Sequence, residues 1–224
     1  MDVTAEYNTV FNLDQVYELD LSKPRIPIIC NYLKSPITRS AYWITKSASE
    51  RMQKYAEIPN LIVLHWWTGW LSKRLPKGKW YDIVERLRDK FYIVEVGWKR
   101  DERLGLGEMR YDLSWQDTAA LLSHAKVFLG VDSGVMHVAL GVGTPTVGFF
   151  GPTKPELIFD NPLLHPIMAE GVECLGCYHQ PPYPKEVAYC YQPYIYCQQW
   201  LKPCNVAKLV FEVAGVPFDG EDES

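Results

Sequence analysis

Positive charge is in short supply in this chain. Lys and Arg number 23 against 27 Asp and Glu, a formal net charge of -4. The basic excess that draws proteins to phosphate backbones is therefore absent, and nucleic acid is not an expected partner. Long apolar runs are missing too: no uninterrupted stretch approaches the roughly 18 residues of a membrane span. The opening MDVTAEYNTV is acidic and leads into no apolar segment, unlike a secretory signal. These absences lead us to expect a cytoplasmic protein with no membrane span. Cysteine is nearly absent from the first 173 residues, which hold only Cys30, so no disulfide framework spreads along the chain. What is present, 47% hydrophobic and 22% charged residues among 224, is globular composition that excludes disorder and collagen-like repeats.

The first sixty residues give weak signals: a strand at Thr9–Leu13, another at Ile26–Ile29 and a helix from about Ser47 to Ala56. After Pro59 the pattern becomes regular. LIVLHW reads as a buried strand, GKWYDIVERLRDK as an amphipathic helix and FYIVEV as a second strand. Gly97–Tyr111 reads as polar loop or a short strand. Ser114, with Asp117 three residues on, opens the helix DTAALLSHA in the manner of a capping box. KVFLGV, the short helix VMHVALGV and the strand PTVGFF follow. Strands alternating with helices through about Phe150 predict an α/β, Rossmann-like doubly wound parallel sheet. Beyond it, residues 171–204 form a cysteine-rich module with too many prolines for a long helix. NVAKLVFEVAG reads as a last helix with Asn205 as N-cap and Gly215 as its stop, ahead of an acidic tail. The expected divisions are 1–60, 61–170, 171–204 and 205–224.

Ligands of an open parallel sheet sit beyond the carboxyl ends of its strands, and two such ends carry residues suited to an anion. After the first comes TGWLSKR, where Thr68 and Ser72 offer hydroxyls, Gly69 lets backbone approach closely, and Lys73 or Arg74 brings positive charge. A solvated basic turn is the other reading of this segment. At the second end, Asp132 closes a strand and Ser133-Gly134 opens a helix whose first amides could hold phosphate oxygens without a metal. Asp132 would accept from sugar hydroxyls or serve as a local turn residue. His137, about one helical turn on, either faces the same opening or is an ordinary helix histidine.

The stretch from Val63 to Pro155 resembles the donor-binding half of the glycosyltransferase family that includes the bacterial lipopolysaccharide heptosyltransferases (glycosyltransferase family 9). The resemblance rests on HWWTGWLSKRLPKGKW, SWQDTAALLSHAKVFLGVDSG and GVMHVALGVGTPTVGFFGPTKP, with a DSGxxHxA stretch followed by GxPxxxxFGPTxP. It implies a GT-B architecture and inverting transfer of a heptose-like sugar, typically from ADP-heptose, without a catalytic metal. Lys73 would then bind the diphosphate, Thr68 and Gly69 would belong to the phosphate loop, Ser133 and Gly134 would donate to the diphosphate, and Asp132 and His137 would lie near the sugar. Residues 1–60 would be a truncated N-terminal, acceptor-side portion. Its carboxylates Asp14, Glu18 and Asp20 have no spacing that singles out a base, and the catalytic base is unassigned.

Five cysteines crowd the late module: Cys174 and Cys177 in CLGC, then Cys190, Cys197 and Cys204. Four thiolates saturate one tetrahedral iron or zinc ion, which would be structural and would order a segment with little core of its own. The module resembles the iron-binding cysteine finger of bacterial autotransporter heptosyltransferases, and that resemblance implies Cys174, Cys177, Cys190 and Cys204 as the ligands, with Cys197, midway between the last two, as the alternative fourth ligand. Reduced buried cysteines or a disulfide are the competing readings. Tyr178, Tyr183, Tyr189, Tyr191, Tyr194, Tyr196 and Trp200 share the segment, as a packing or subunit surface or as stacking platforms.

The expected function is transfer of a sugar from a nucleotide sugar to a glycan or protein hydroxyl, with a homo-oligomer or partner chain among the expected assemblies. A noncatalytic nucleotide-sugar-binding or assembly module that needs a partner chain is the alternative.

Overall fold

The computed structural model describes residues 42–180 and 190–218. The strands expected at Thr9–Leu13 and Ile26–Ile29, together with Asp14, Glu18, Asp20, Cys30, Tyr183, Tyr189 and the acidic tail, lie outside the described residues.

The described chain runs through α1 (Lys46–Met52), β1 (Leu61–His65), α2 (Lys77–Leu87), β2 (Tyr92–Val96), β3 (Glu108–Arg110), α3 (Trp115–His124), β4 (Val127–Val131), α4 (Gly134–Gly141), β5 (Thr146–Phe149), α5 (Pro155–Ile158), β6 (Leu164–Ile167), α6 (Tyr196–Gln199) and α7 (Pro203–Ala214). The six strands form one sheet in the order β3-β2-β1-β4-β5-β6, every pairing parallel. The direction of winding reverses between β1 and β4. Doubly wound sheets place ligands beyond the carboxyl ends of the two strands at such a reversal.

The sequence pattern accounts for the layers. All five residues of β1 and of β4 are buried, as expected of strands covered on both faces. Alternate residues feed two cores. Ile62 and Leu64 face α2 and α7 through Trp80, Ile83, Val210 and Phe211. Leu61 and Val63 face α1, α3 and α4 through Met52, Leu121, Met136 and Ala139. Each such side chain, fully buried, contributes about 1.5–3 kcal/mol. The helix expected over Ser47–Ala56 is α1 followed by a 3-10 turn at Gln53–Tyr55, with Thr45 capping its start by accepting from the Ala48 amide. Ser114 caps α3 as predicted, its hydroxyl accepting from the Asp117 amide.

Two expectations are corrected. The strand pattern does not end at Phe150, because β6 adds a sixth strand. Its sequence, LHPI, is short and contains Pro166, which a central strand excludes and an edge strand tolerates. Nor is Asn205 the cap of the last helix. Proline at the first helical position presets the backbone angle and needs no N–H partner, so α7 begins at Pro203 with Lys202 as its cap residue. Gly215 ends it as expected, in the left-handed region at φ 62°.

Candidate nucleotide-binding site

Two loops meet over the β1/β4 crevice. From β1 the chain passes through Trp67, Thr68, Gly69 and Trp70 into a 3-10 turn at Leu71–Lys73. From β4 it passes through Asp132 and Ser133 into α4. The loops are tied by an ion pair: Lys73 Nζ lies 2.7 Å from Asp132 Oδ2, with side chains 15% and 6% exposed. Thr153 Oγ1 donates to the same carboxylate oxygen at 2.8 Å. Lys73 Nζ also stands 4.1 Å from the centre of the Trp70 ring, a cation–π contact that further fixes the ammonium. Arg74 braces the first loop, its Nε donating to the Thr68 carbonyl at 2.6 Å while the guanidinium stacks 3.4 Å from the Trp67 ring centre.

The second loop presents α4 end-on. Its first intrahelical bonds run from Met136 and His137 to the Ser133 carbonyl, so the amides of Gly134 and Val135 lie ahead of the hydrogen-bonded ladder and carry the positive end of the helix dipole. Gly134 is exposed. A Cβ there would stand 3.3 Å from the Trp115 ring, a tight contact that asks the exposed ring to give by a few tenths of an ångström. Ser133 is the cap residue of α4 without a side-chain capping bond. Its Oγ lies 3.0 Å from His65 Nδ1 instead. His65 is buried at the end of β1, its Nε2 has no hydrogen-bond partner among the described residues, and burial lowers its pKa from 6.5 to about 4.

The structure thus joins Lys73 to Asp132 next to Ser133 and Gly134, with Thr68 and Gly69 earlier in the loop that carries Lys73. It does not bring Ser72 to the open crevice: that residue is buried and lines a cavity on the cysteine side. His137 is exposed, its ring packed on Phe159 with centres 4.3 Å apart. Sequence reasoning left three features unassigned. Thr153 sits inside the quoted GPTKP string, and His65 is the polar residue that ends an apolar strand run. The third is the edge-to-face pair Trp98 and Trp115, centres 4.8 Å apart. Trp115 is an exposed tryptophan directly after a cap serine, a signal visible in the sequence. The loop bearing Trp98 is anchored by Glu95, fully buried in β2, which accepts from the amides of Leu104 at 2.8 Å and Gly105 at 2.9 Å and from Trp66 Nε1 at 3.2 Å.

None of the five described cysteines is joined in a disulfide with another described cysteine. Cys174, Cys177, Cys190 and Cys197 line one small cavity. Cys204 does not, its thiol lying 3.5 Å from the Asn205 side-chain oxygen. Burial, then the neighbouring cysteines, raises the Cys177 pKa to about 11 and that of Cys197 to about 12. Among the described residues, no three His, Cys, Asp or Glu side chains are drawn together closely enough to hold an ion. The donor set fits a tetrathiolate, but the thiols are not gathered into one. No described helix is long and apolar enough to cross a membrane.

The strand order 3-2-1-4-5-6 and an anion-ready helix start at its switch point define a Rossmann-like domain of the kind that binds nucleotides. Residues 32–190 match Glycosyltransferase family 9 (heptosyltransferase), and the chain belongs to that family. It is 32% identical over 107 residues to lipopolysaccharide heptosyltransferase 1 of Pseudomonas aeruginosa, an alignment covering 43% of this chain and 30% of that protein. Against the enzyme of the same name from Escherichia coli it is 28% identical over 97 residues, covering 39% and 30%. Among solved structures it resembles ADP-heptose lps heptosyltransferase II of E. coli, with a TM-score of 0.61, 16% identity, and coverage of 82% of this chain and 56% of that one. It also resembles TibC, an iron-containing dodecameric glycosyltransferase of enterotoxigenic E. coli, with a TM-score of 0.59, 16% identity, and coverage of 80% and 48%. The matched part thus spans about 30% of the curated relatives and about half of the solved chains.

Proposed function

We propose that this chain carries the nucleotide-sugar site of a glycosyltransferase that moves a heptose-like sugar from ADP-heptose, with inversion, to a glycan or protein hydroxyl on the cytoplasmic side. The observation that carries the reading is that Lys73 is ion-paired to Asp132, two residues ahead of the exposed start of α4, at the β1/β4 switch point. The diphosphate would lie across the Gly134 and Val135 amides, with the Ser133 hydroxyl and Lys73 as further donors and the Thr68–Gly69 loop at its edge. The adenine would rest against the Trp98–Trp115 wall, since every base offers a π-face to an aromatic ring. Asp132 would hold Lys73 in place and accept from a sugar hydroxyl with its remaining lone pairs, and His137 would lie toward the sugar.

Negative charge accumulates on the diphosphate as the glycosidic bond breaks. Donors already fixed in place stabilise that charge without reorganising during the reaction. No metal is needed for this step, because a lysine and helix amides supply the positive potential. Cys174, Cys177, Cys190 and Cys197 would hold a structural iron or zinc ion that orders residues 171–204; one structural neighbour's name describes it as iron-containing. That neighbour is also dodecameric, in keeping with a homo-oligomer here.

Calorimetric titration with ADP-heptose, alongside a UDP-sugar, tests the donor. Binding of ADP-heptose that the UDP-sugar does not match is expected. Equal binding of both, or of neither by folded protein, would overturn this donor assignment.

A further inference from the structure

Ser133 occupies a cap position, where a serine hydroxyl ordinarily accepts an amide N–H from the first helical turn. Here it makes no such bond. The hydroxyl turns instead to His65, with Oγ 3.0 Å from Nδ1. His65 reaches it from the last position of β1, whose backbone is locked between β2 and β4. The ring is buried, so its position is set by packing and not by solvent.

A hydroxyl has one proton to give and two lone pairs to fill. If Ser133 donated to Nδ1, it would have only acceptors left to show an anion, and an acceptor repels phosphate oxygens. If Nδ1–H donates to Oγ, the hydroxyl proton is free to point outward, beside the Gly134 and Val135 amides. The second arrangement leaves a bare imine nitrogen at Nε2, which has no hydrogen-bond partner among the described residues. The first would leave a buried N–H there, the kind of orphan that folded proteins most rarely keep.

We propose that His65 is a positioning residue: its Nδ1–H holds the Ser133 oxygen so that the serine proton is directed to a phosphate oxygen of the bound nucleotide. The proposal rests on the reading that Ser133 belongs to the diphosphate site. It assigns a ligand-binding consequence to a residue that itself stays out of reach of the ligand.

Two measurements test it on the full chain. Nitrogen-15 NMR of the imidazoles in the wild-type protein is expected to show His65 as the Nδ1–H tautomer; the Nε2–H tautomer would overturn the proposal. In calorimetric titrations with ADP, His65→Leu is expected to weaken binding roughly tenfold, as for loss of one hydrogen bond to a charged group. His65→Asn, whose amide N–H can stand in for Nδ1–H, should retain affinity within about threefold of the wild type. On a Ser133→Ala background His65→Leu should add nothing, because the two residues act through one bond. An additive loss in the double variant, or equal losses for Leu and Asn, would reduce His65 to a packing residue. If Ser133→Ala and Lys73→Ala both bind ADP as the wild type does, the diphosphate site itself is misplaced. That outcome is distinct from failure at His65 alone. Should His65→Leu fail to fold, the tautomer measurement still decides.

Discussion

Lys73 and Asp132 form a pair with a structural role and, in the function proposed above, a role toward the ligand. The carboxylate accepts from Lys73 and from Thr153, so removing it would free the ammonium and leave a buried hydroxyl without its acceptor. Lys73→Ala is expected to weaken ADP binding by roughly 1.5–3 kcal/mol, the worth of a hydrogen bond to a charged group, without unfolding the domain. Parallel calorimetry and thermal melts check both halves of that statement. At His65 the expectation concerns pH. Its folded pKa of about 4 lies below the ordinary 6.5, so the unfolded chain takes up a proton first as the solution is acidified. The stability attached to this residue is complete above about pH 6.5 and is lost progressively toward pH 4, up to about 3 kcal/mol. Urea unfolding at pH 7.5 and 4.5 should show a smaller acid loss in His65→Asn than in the wild type.

Among the elements, α7 closes the face of the sheet opposite α3 and α4, and Phe211 is its main anchor. The ring is buried and meets Phe91 and Phe218 edge-on, each at 5.0 Å between centres. Phe211→Ala is expected to cost about 3–5 kcal/mol, the usual penalty for emptying an aromatic site in a core, read as a lower urea midpoint with ADP affinity retained by the protein that remains folded. Apart from β3, whose three residues EMR show no period and fell in a segment readable as polar loop or short strand, the elements from β1 to β5 were legible in the sequence because each carries a clear signal: unbroken apolar runs for LIVLH and VFLGV, helical spacing in α2, a cap serine before α3. What was hidden lacked such a signal. β6 is an edge strand containing a proline, and its place is set by pairing with β5, a tertiary effect that no local pattern reports. At the start of α7, Asn205 carries a capping signal, but Pro203, two positions earlier, is the residue that opens the helix. At the candidate site, the hydroxyls, glycines and lysine were readable as residue types at strand ends. The Lys73–Asp132 bond and the His65–Ser133 contact were not, because they join residues 59 and 68 positions apart that only the sheet brings together.

For the whole molecule, the cysteine cavity and the switch point share one wall. Ser72 stands in the turn that positions Lys73 and also lines the cavity of Cys174, Cys177, Cys190 and Cys197. An ion held there would stiffen the module next to the loop that carries Lys73. Elemental analysis of protein grown with iron and zinc is expected to find about one ion per chain, as a saturated tetrathiolate requires, lost in Cys197→Ser and kept in Cys204→Ser. The reverse pattern would restore Cys204 to the ligand set. The central claim is that the crevice between β1 and β4 holds a nucleoside diphosphate, and its most direct test is calorimetric titration of ADP into the wild type and into Lys73→Ala. Saturable binding by the wild type that falls about tenfold or more in the variant is the predicted result. Unaltered binding in Lys73→Ala, or no binding by folded wild-type protein, would contradict it.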